Sequence, residues 1–314
     1  LRRTRAICDA AGAIRVISLL VLVFGVLSTQ AAPAQPEGAA PNGRPLRLVS
    51  LNPSLSAILL RLDAAETLVG IDDYTARVLP ELGDLPQVGG LFDPSLEAVV
   101  ALRPDRVLMV AGVDQQAHAG RLERLGLSVD VYTNERFDQV LENIERLGRL
   151  VDRVERADRR ILEIRAVRHA VVQATRRRAR PATLAVVDRD PLFVVGGGTF
   201  LDEMLAASGA DNLARSLGDG YPRASLEWLI AARPELILDM TPTAGEAARF
   251  WSRWPSLPAV SANRVLTLEA QRLSMPGADL DQALRELAIR VHGPGIAAAI
   301  DAELEAARAS GRTP

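Results

Sequence analysis

A chain of 314 residues with 48% hydrophobic and 24% charged residues is an ordinary globular protein, long enough for two domains. Its net charge of −2 argues against a nucleic-acid binder, and every one of its basic residues except histidine is arginine. The single cysteine, Cys8, stands so near the N-terminus that the rest of the chain has no disulfide, thiolate metal ligand or iron–sulfur site.

Residues 1–34 read as an export signal. Arg2, Arg3, Arg5 and Arg15 precede an apolar run from Val16 to Leu27, broken only by Ser18 and Gly25, and small residues follow at Ala31 and Ala34. The run is shorter than the roughly 18–20 apolar residues that span a bilayer. With no cysteine at the cleavage site to carry a lipid, a free periplasmic protein is expected. Residues 35–45, rich in Ala, Pro and Gly, form a linker.

Strand and helix then alternate, which predicts a parallel α/β lobe over residues 46–150. Leu46–Ser50, Leu68–Ile71, Arg106–Ala111 and Val129–Tyr132 are its strands. Asn52-Pro53 caps a helix, and further helices cover Ser95–Arg103 and Gln115–Leu125. Phe137, Val140, Leu141, Ile144 and Leu147 share one helical face, with Gly148 as the expected stop. From Val151 to Ala179 no Gly or Pro interrupts a helical stripe, so residues 151–180 are expected to form one long inter-lobe helix of about 40 Å. Alternation resumes over residues 181–292, with strands at Thr183–Asp188, Leu192–Val195, Leu236–Asp239 and Val265–Leu268. A last helix runs from Asp279 to His292, and residues 293–314 form a fraying tail.

One segment occurs twice. Ser95 to Leu108 and Ser225 to Leu238 are identical at seven of fourteen positions, each reading as a capped helix, a Pro stop and a buried strand. The copies lie on opposite sides of the long helix. They place Glu97 and Glu227 at matched points in the first turn of two helices. A carboxylate there gains about 0.3–1 kcal/mol from the helix dipole, but a matched pair points further, to one anchor per lobe for a two-subunit partner.

These segments, with Val49-Ser50-Leu51-Asn52-Pro53-Ser54, Leu68 to Tyr74, Val88-Gly89-Gly90, Gly196 to Asp202 and Trp254 to Val260, resemble the periplasmic binding proteins of cobalamin, haem and ferric-siderophore importers. The likeness spans Leu46 to His292 and is greatest to the cobalamin branch. It implies two Rossmann-like lobes joined by one long α-helix, a bulky ligand between them, and docking of Glu97 and Glu227 on arginines of an ABC permease–ATPase complex in the inner membrane. The protein is then a monomeric carrier with no cofactor of its own, cobalamin being its cargo, or haem or a ferric siderophore in the same class. Some positions depart from the pattern. Ser56-Ala57 replace a Thr-Glu pair common among relatives, and Leu91 and Tyr221 stand where some cobalamin binders carry Trp.

Aromatic residues make up only 4% of the chain, so their positions are informative. Tyr74, Phe92, Phe193 and Tyr221 fall at loop ends expected to face the cleft, and suit a flat, partly apolar macrocycle. Gly197, in Gly196-Gly197-Gly198, lets the backbone approach a ligand or turn tightly into a helix. Trp251 and Trp254 read as packing; Arg223 and Arg272 are candidates for a ligand carboxylate. A haem binder would want an axial ligand, for which Tyr74 is the candidate.

No catalytic group is evident. His118, His169 and His292 have no ligand-like spacing, and G-x-S-x-G, H-E-x-x-H and P-loop patterns do not occur. A zinc or manganese carrier would need clustered His and carboxylates. The competing readings from other classes are an exported α/β hydrolase, which the missing triad disfavours, and a periplasmic sensor without a transporter.

Overall fold

The computed structural model describes residues 44–241, 244–268 and 275–310. The leader, most of the linker and Arg272 lie outside them. The first lobe runs β1 (Leu48–Ser50), α1 (Pro53–Arg61), β2 (Leu68–Ile71), α2 (Asp73–Val78), α3 (Leu96–Ala101), β3 (Arg106–Val110), α4 (Val113–Arg124) and β4 (Val129–Tyr132). Its sheet has the order β2-β1-β3-β4 and every pairing is parallel. Leu48, Val49, Val107 and Leu108 are fully buried, as expected for strands covered on both faces.

Helices α5 (Phe137–Leu150) and α6 (Val154–Thr175) follow. They correct two expectations. Gly148 does not stop α5, which continues to Leu150. Its missing side chain instead lets α6 approach, since a Cβ there would collide with the Cβ of Ala157. The break falls at Asp152, in the left-handed region at φ 56°. The long helix therefore spans 22 residues, about 33 Å, and not the 40 Å read from composition.

The second lobe contains β5 (Ala182–Arg189), β6 (Leu192–Val194), α7 (Phe200–Ala207), β7 (Asp211–Asn212), α8 (Leu226–Ala232), β8 (Leu236–Asp239), α9 (Ala244–Trp251), α10 (Pro258–Ser261) and β9 (Val265–Thr267). The order is β6-β5-β8-β9, with β7 also pairing β5. All pairings are parallel except β6 on β5, so this sheet is mixed where a parallel one is expected. Helix α11 (Leu280–His292) then leads to α12 (Ile296–Ala309). The expected fraying tail is thus a helix through Ala309. Ile296 and Ile300 are fully buried in the core cluster that also holds Ile164 and Val171 of α6, so apolar burial orders it.

The repeat has a structural meaning. Ser95 and Ser225 cap α3 and α8, their side chains accepting from the N–H of Ala98 and Trp228. Arg103 and Arg233 both adopt left-handed φ, 48° and 49°, to leave the helix before proline. Asp105 then accepts from the Arg47 N–H at 2.9 Å, and Glu235 from the Ala182 N–H at 3.0 Å. Each acid pins the start of the central neighbouring strand. The two lobes are built on one plan.

At the far end of the second lobe, His292 Nε2 lies 2.9 Å from the Ser208 carbonyl; a carbonyl only accepts, so Nε2 carries the proton and donates it. Gly209 at φ 80° leaves room, its hypothetical Cβ lying 2.7 Å from that nitrogen. Burial pushes His292 below the ordinary histidine range, and although the Ser208 bond opposes this, the charges of Arg178, Arg264 and Arg180 add to it.

Two predictions follow from these contacts. Gly148→Ala should lower stability by up to about 2 kcal/mol in urea unfolding, because overpacking costs about 1–3 kcal/mol against a helix-propensity gain near 1. Adding Ala157→Gly should recover part of that loss. For His292, a depressed folded pKa means that the unfolded chain takes up the proton first. Its contribution is present above about pH 6.5 and is lost as pH falls from there towards the folded value. Denaturant midpoints measured from pH 7.5 to 5 should therefore fall more steeply for the wild type than for His292→Gln.

Candidate functional site

The two lobes meet at the N-terminus of α5. Glu203 on α7 reaches across, its Oε2 accepting from the Phe137 N–H at 2.7 Å and its Oε1 from Arg136 at 3.0 Å. A carboxylate from one lobe thus caps a helix of the other, where the helix dipole favours negative charge. Beneath it the rings of Phe137 and Phe200 stack at 6.5 Å, and the Arg168 guanidinium covers Phe137 at 4.3 Å.

Beside this contact lies a cavity of about 560 Å³, within the roughly 300–1,000 Å³ range of small-molecule sites. Asn134 and Glu135, just after β4, supply one wall. Thr199, Phe200, Asp219 and Tyr221 supply the other. Tyr221 is 51% exposed. Burial first, and then the Glu135 carboxylate facing it, push its phenol above the usual range.

Of the five predicted ligand residues, this cavity takes in Tyr221 alone. Phe193 lies close in the sheet, bridging Arg223 of the segment after Tyr221 and pairing Asp188 at the end of β5. Gly197 is buried, and the antiparallel course of β6 carries its loop back along β5, with the Val195 N–H bonded to the Ala185 carbonyl. The N–H groups of Gly196 and Gly197 donate to the carbonyls of Gly220 and Gly218, and that of Gly198 to Asp202. The glycine run is therefore a tight turn with its donors used, not an anion cradle. Gly197 does not line the cavity itself, but it bridges Asp219, which does. In the first lobe, Tyr74 is half-buried with Arg77 at 5.4 Å from its ring, and Phe92 is 68% exposed. The Asp73 N–H to Gly89 carbonyl bond holds their two loops together. Asn134, Glu135, Phe200 and Asp219 escaped the sequence reading. Only the position of Asn134 and Glu135, directly after a predicted strand, pointed to them.

Glu97 and Glu227 are both exposed and have no ion-pair partner among the described residues. Their helices start at the same level of each lobe. Ser95 donates to Val88, whose N–H bonds Ile71 at the end of β2; Ala224 donates to Leu192, which pairs Arg189 at the end of β5. Each glutamate thus stands on the rim formed by the strand C-termini. Its own backbone N–H, then the Ser225 hydroxyl, hold Glu227 below the ordinary carboxylate range.

The second lobe also buries an ion pair where β5 and β8 end. Asp239 accepts from Arg189 at 2.9 Å, Trp251 Nε1 at 2.6 Å and Thr241 at 2.7 Å. Burial pushes Asp239 up, but these bonds outweigh it and hold the carboxyl below its ordinary value. Trp251 is buried and Trp254 half-buried in one cluster with Phe250, which makes both packing residues. Among the described residues, no three His, Cys, Asp or Glu side chains are grouped to hold a metal, and no helix is long and apolar enough to cross a membrane.

The family described as periplasmic binding protein matches residues 48–272. A vitamin B12-binding protein of Vibrio campbellii is 23% identical over 248 residues, covering 78% of this chain and 89% of that one. One from Photorhabdus laumondii is 26% identical, over 62% of this chain and 70% of that one. Among solved structures, the periplasmic heme-binding protein RhuT of Roseiflexus sp. RS-1 aligns with a TM-score of 0.71 at 24% identity, over 82% of this chain and all of that one. The vitamin B12 binding protein BtuF of Vibrio cholerae aligns at 0.69 and 18% identity, over 82% and 97%. These neighbours share the helical-backbone architecture of two lobes and one connecting helix. With the family match covering most of its length, the chain belongs to the periplasmic binding proteins, a family of ligand carriers and not of enzymes.

Proposed function

We propose that this protein is an exported, monomeric carrier that captures cobalamin between its lobes and delivers it to an ABC permease–ATPase complex in the inner membrane. The inter-lobe cavity beside Glu203 carries the reading, since it draws walls from both lobes and has an aromatic side chain at its mouth. Phe92 and Tyr221 stand three and four residues before the Ser95 and Ser225 caps of α3 and α8, are both exposed, and are the natural contacts for the two edges of a macrocycle. Tyr74 and Phe193 are further apolar contacts, and Gly197 supports the wall through its bridge to Asp219. The curated relatives named as vitamin B12-binding proteins support cobalamin as the cargo. Residues 46–150 and 181–292 act as the two lobes, with residues 151–180 as the link.

Nothing in this scheme requires chemistry on the ligand. Release follows when the importer engages Glu97 and Glu227 and strains the lobes apart. Haem is the second reading, favoured by the solved haem-binding neighbours, and Tyr74 is then the axial candidate.

Titrating the purified chain separately with cyanocobalamin and haemin, while following tryptophan fluorescence and visible absorbance, distinguishes them. Saturable cyanocobalamin binding that weakens about tenfold or more in Tyr221→Ala and in Phe92→Ala is expected. Binding of haemin alone, with a Soret change lost in Tyr74→Phe, would replace cobalamin by haem. Charge reversal at both Glu97 and Glu227 should abolish uptake of the bound ligand while leaving its affinity unchanged. Undiminished uptake by that double variant would reject the docking role.

A further inference from the structure

The repeat duplicates more than a glutamate. On α3, Val99 is fully buried and fixes which face meets the core. At about 100° per residue, Leu96, Val100 and Glu97 then lie roughly 60°, 100° and 160° round from it, forming one continuous flank with the carboxylate outermost. On α8 the buried Leu229 sets the same geometry for Leu226, Ile230 and Glu227. These flanks are open: Leu226 is 44% exposed, Ile230 49% and Val100 37%, with Leu96 partly covered. Two unpaired carboxylates thus stand at the edge of two matching apolar pairs, on the same rim of each lobe.

We propose that each pair is an apolar docking platform for the importer's membrane component, seating a partner surface in which a guanidinium or ammonium is ringed by apolar side chains. The inference rests on the importer reading and deepens it. Charge complementarity requires a cation opposite each carboxylate, and duplication requires a partner that offers the same surface twice. A second copy of this chain does not qualify, because a twofold contact through either patch would set glutamate against glutamate. The apolar flank supplies the part of the binding that salt does not screen, while the exposed ion pair steers and orients the encounter. It also excludes water from the ion pair once docked, which strengthens that pair.

The test uses the full exported chain and its cognate permease–ATPase complex from the source organism in nanodiscs, with affinity read by biolayer interferometry at 0.05 and 0.5 M NaCl. The variants are Leu226→Ser with Ile230→Ser, Val100→Ser, and charge reversal at both glutamates. Each is checked for an unaltered melting temperature and cyanocobalamin affinity. The serine variants should bind the complex about tenfold or more weakly at both salt concentrations, whereas charge reversal should matter most at low salt. Serine variants that dock as the wild type does, beside weakened glutamate variants, would overturn the platform and leave the importer reading intact. A wild-type chain that fails to dock at all would remove both.

Discussion

The contact on which the cleft depends is the capping of α5 by Glu203. A helix N-terminus leaves backbone N–H groups without partners, and here one of them, on Phe137, is satisfied from the opposite lobe. Removing that carboxylate would strand a donor in a part-buried position and leave Arg136 without its counter-ion. The cap sets the distance between the loop after β4 and the start of α7, which are the two walls of the cavity. Further ties run in parallel with it. Arg160 on α6 bonds the Ala278 carbonyl and Asp281, Arg61 on α1 pairs with Asp279, and Arg153 and Arg156 pair with Glu66 and Asp63. The exposed pairs among these, Arg61–Asp279, Arg153–Glu66 and Arg156–Asp63, are worth at most about 1 kcal/mol each, so the more buried Arg160–Asp281 tie and the apolar seam of α5, α6, α11 and α12 carry most of the rigidity. A carrier so braced opens by small movements, which suits a ligand held between rigid walls.

The two lobes share a plan and diverge where a ligand would meet them. Pinned strand starts and left-handed arginines recur at the two copies, at the end of the sheet remote from the rim, and the serine caps recur on the rim itself. Met109 and Asp239 occupy matched places near the ends of β3 and β8, and only the second is ionised. The crevice between β5 and β8, where a doubly wound sheet usually takes its ligand, is filled by the Arg189–Asp239 pair. A buried pair held by Trp251 and Thr241 is fixed in geometry. The open space moves accordingly to the inter-lobe edge, beside β4 and α7.

Most of the architecture was legible because buried parallel strands are short apolar runs bounded by turn residues. Leu68–Ile71, Val129–Tyr132 and Leu236–Asp239 agree with the sequence reading to the residue. What the sequence hid depends on tertiary context. The direction of β6 cannot be read from three apolar residues, and it decides that Gly197 turns away from the strand ends. Gly148 looks like a helix stop until a second helix packs on it. Ile296, Ile300 and Leu304 already carried helical spacing in the tail, but the Ala and Glu residues around them masked it. Asn134 and Glu135 belong to no periodic pattern, so the wall they build is invisible without the fold.

A larger opening, of about 980 Å³, lies at the other end of the second lobe, lined by Arg178, Arg264, Arg290 and His292. Its basic character invites an anion, yet the architecture accounts for the charges. The C-terminal ends of α6, α7 and α11 converge there, each leaving carbonyls without helical partners. Arg264 donates to Val291 at 2.8 Å, Arg180 to Ala210 at 2.7 Å, and His292 to Ser208 at 2.9 Å. Cations at helix C-termini also oppose the negative end of the dipole, and Arg290 is further paired with Glu286. An anion entering the groove would meet three negative helix ends and, apart from the exposed Arg178, arginines already engaged. The groove is wide because helix ends stack poorly. It sits at the start of the strands, where pinned backbones and satisfied carbonyls leave few groups for recognition. Size alone therefore misleads here, and the smaller crevice, with both lobes in its walls, offers the more varied set of groups to a ligand.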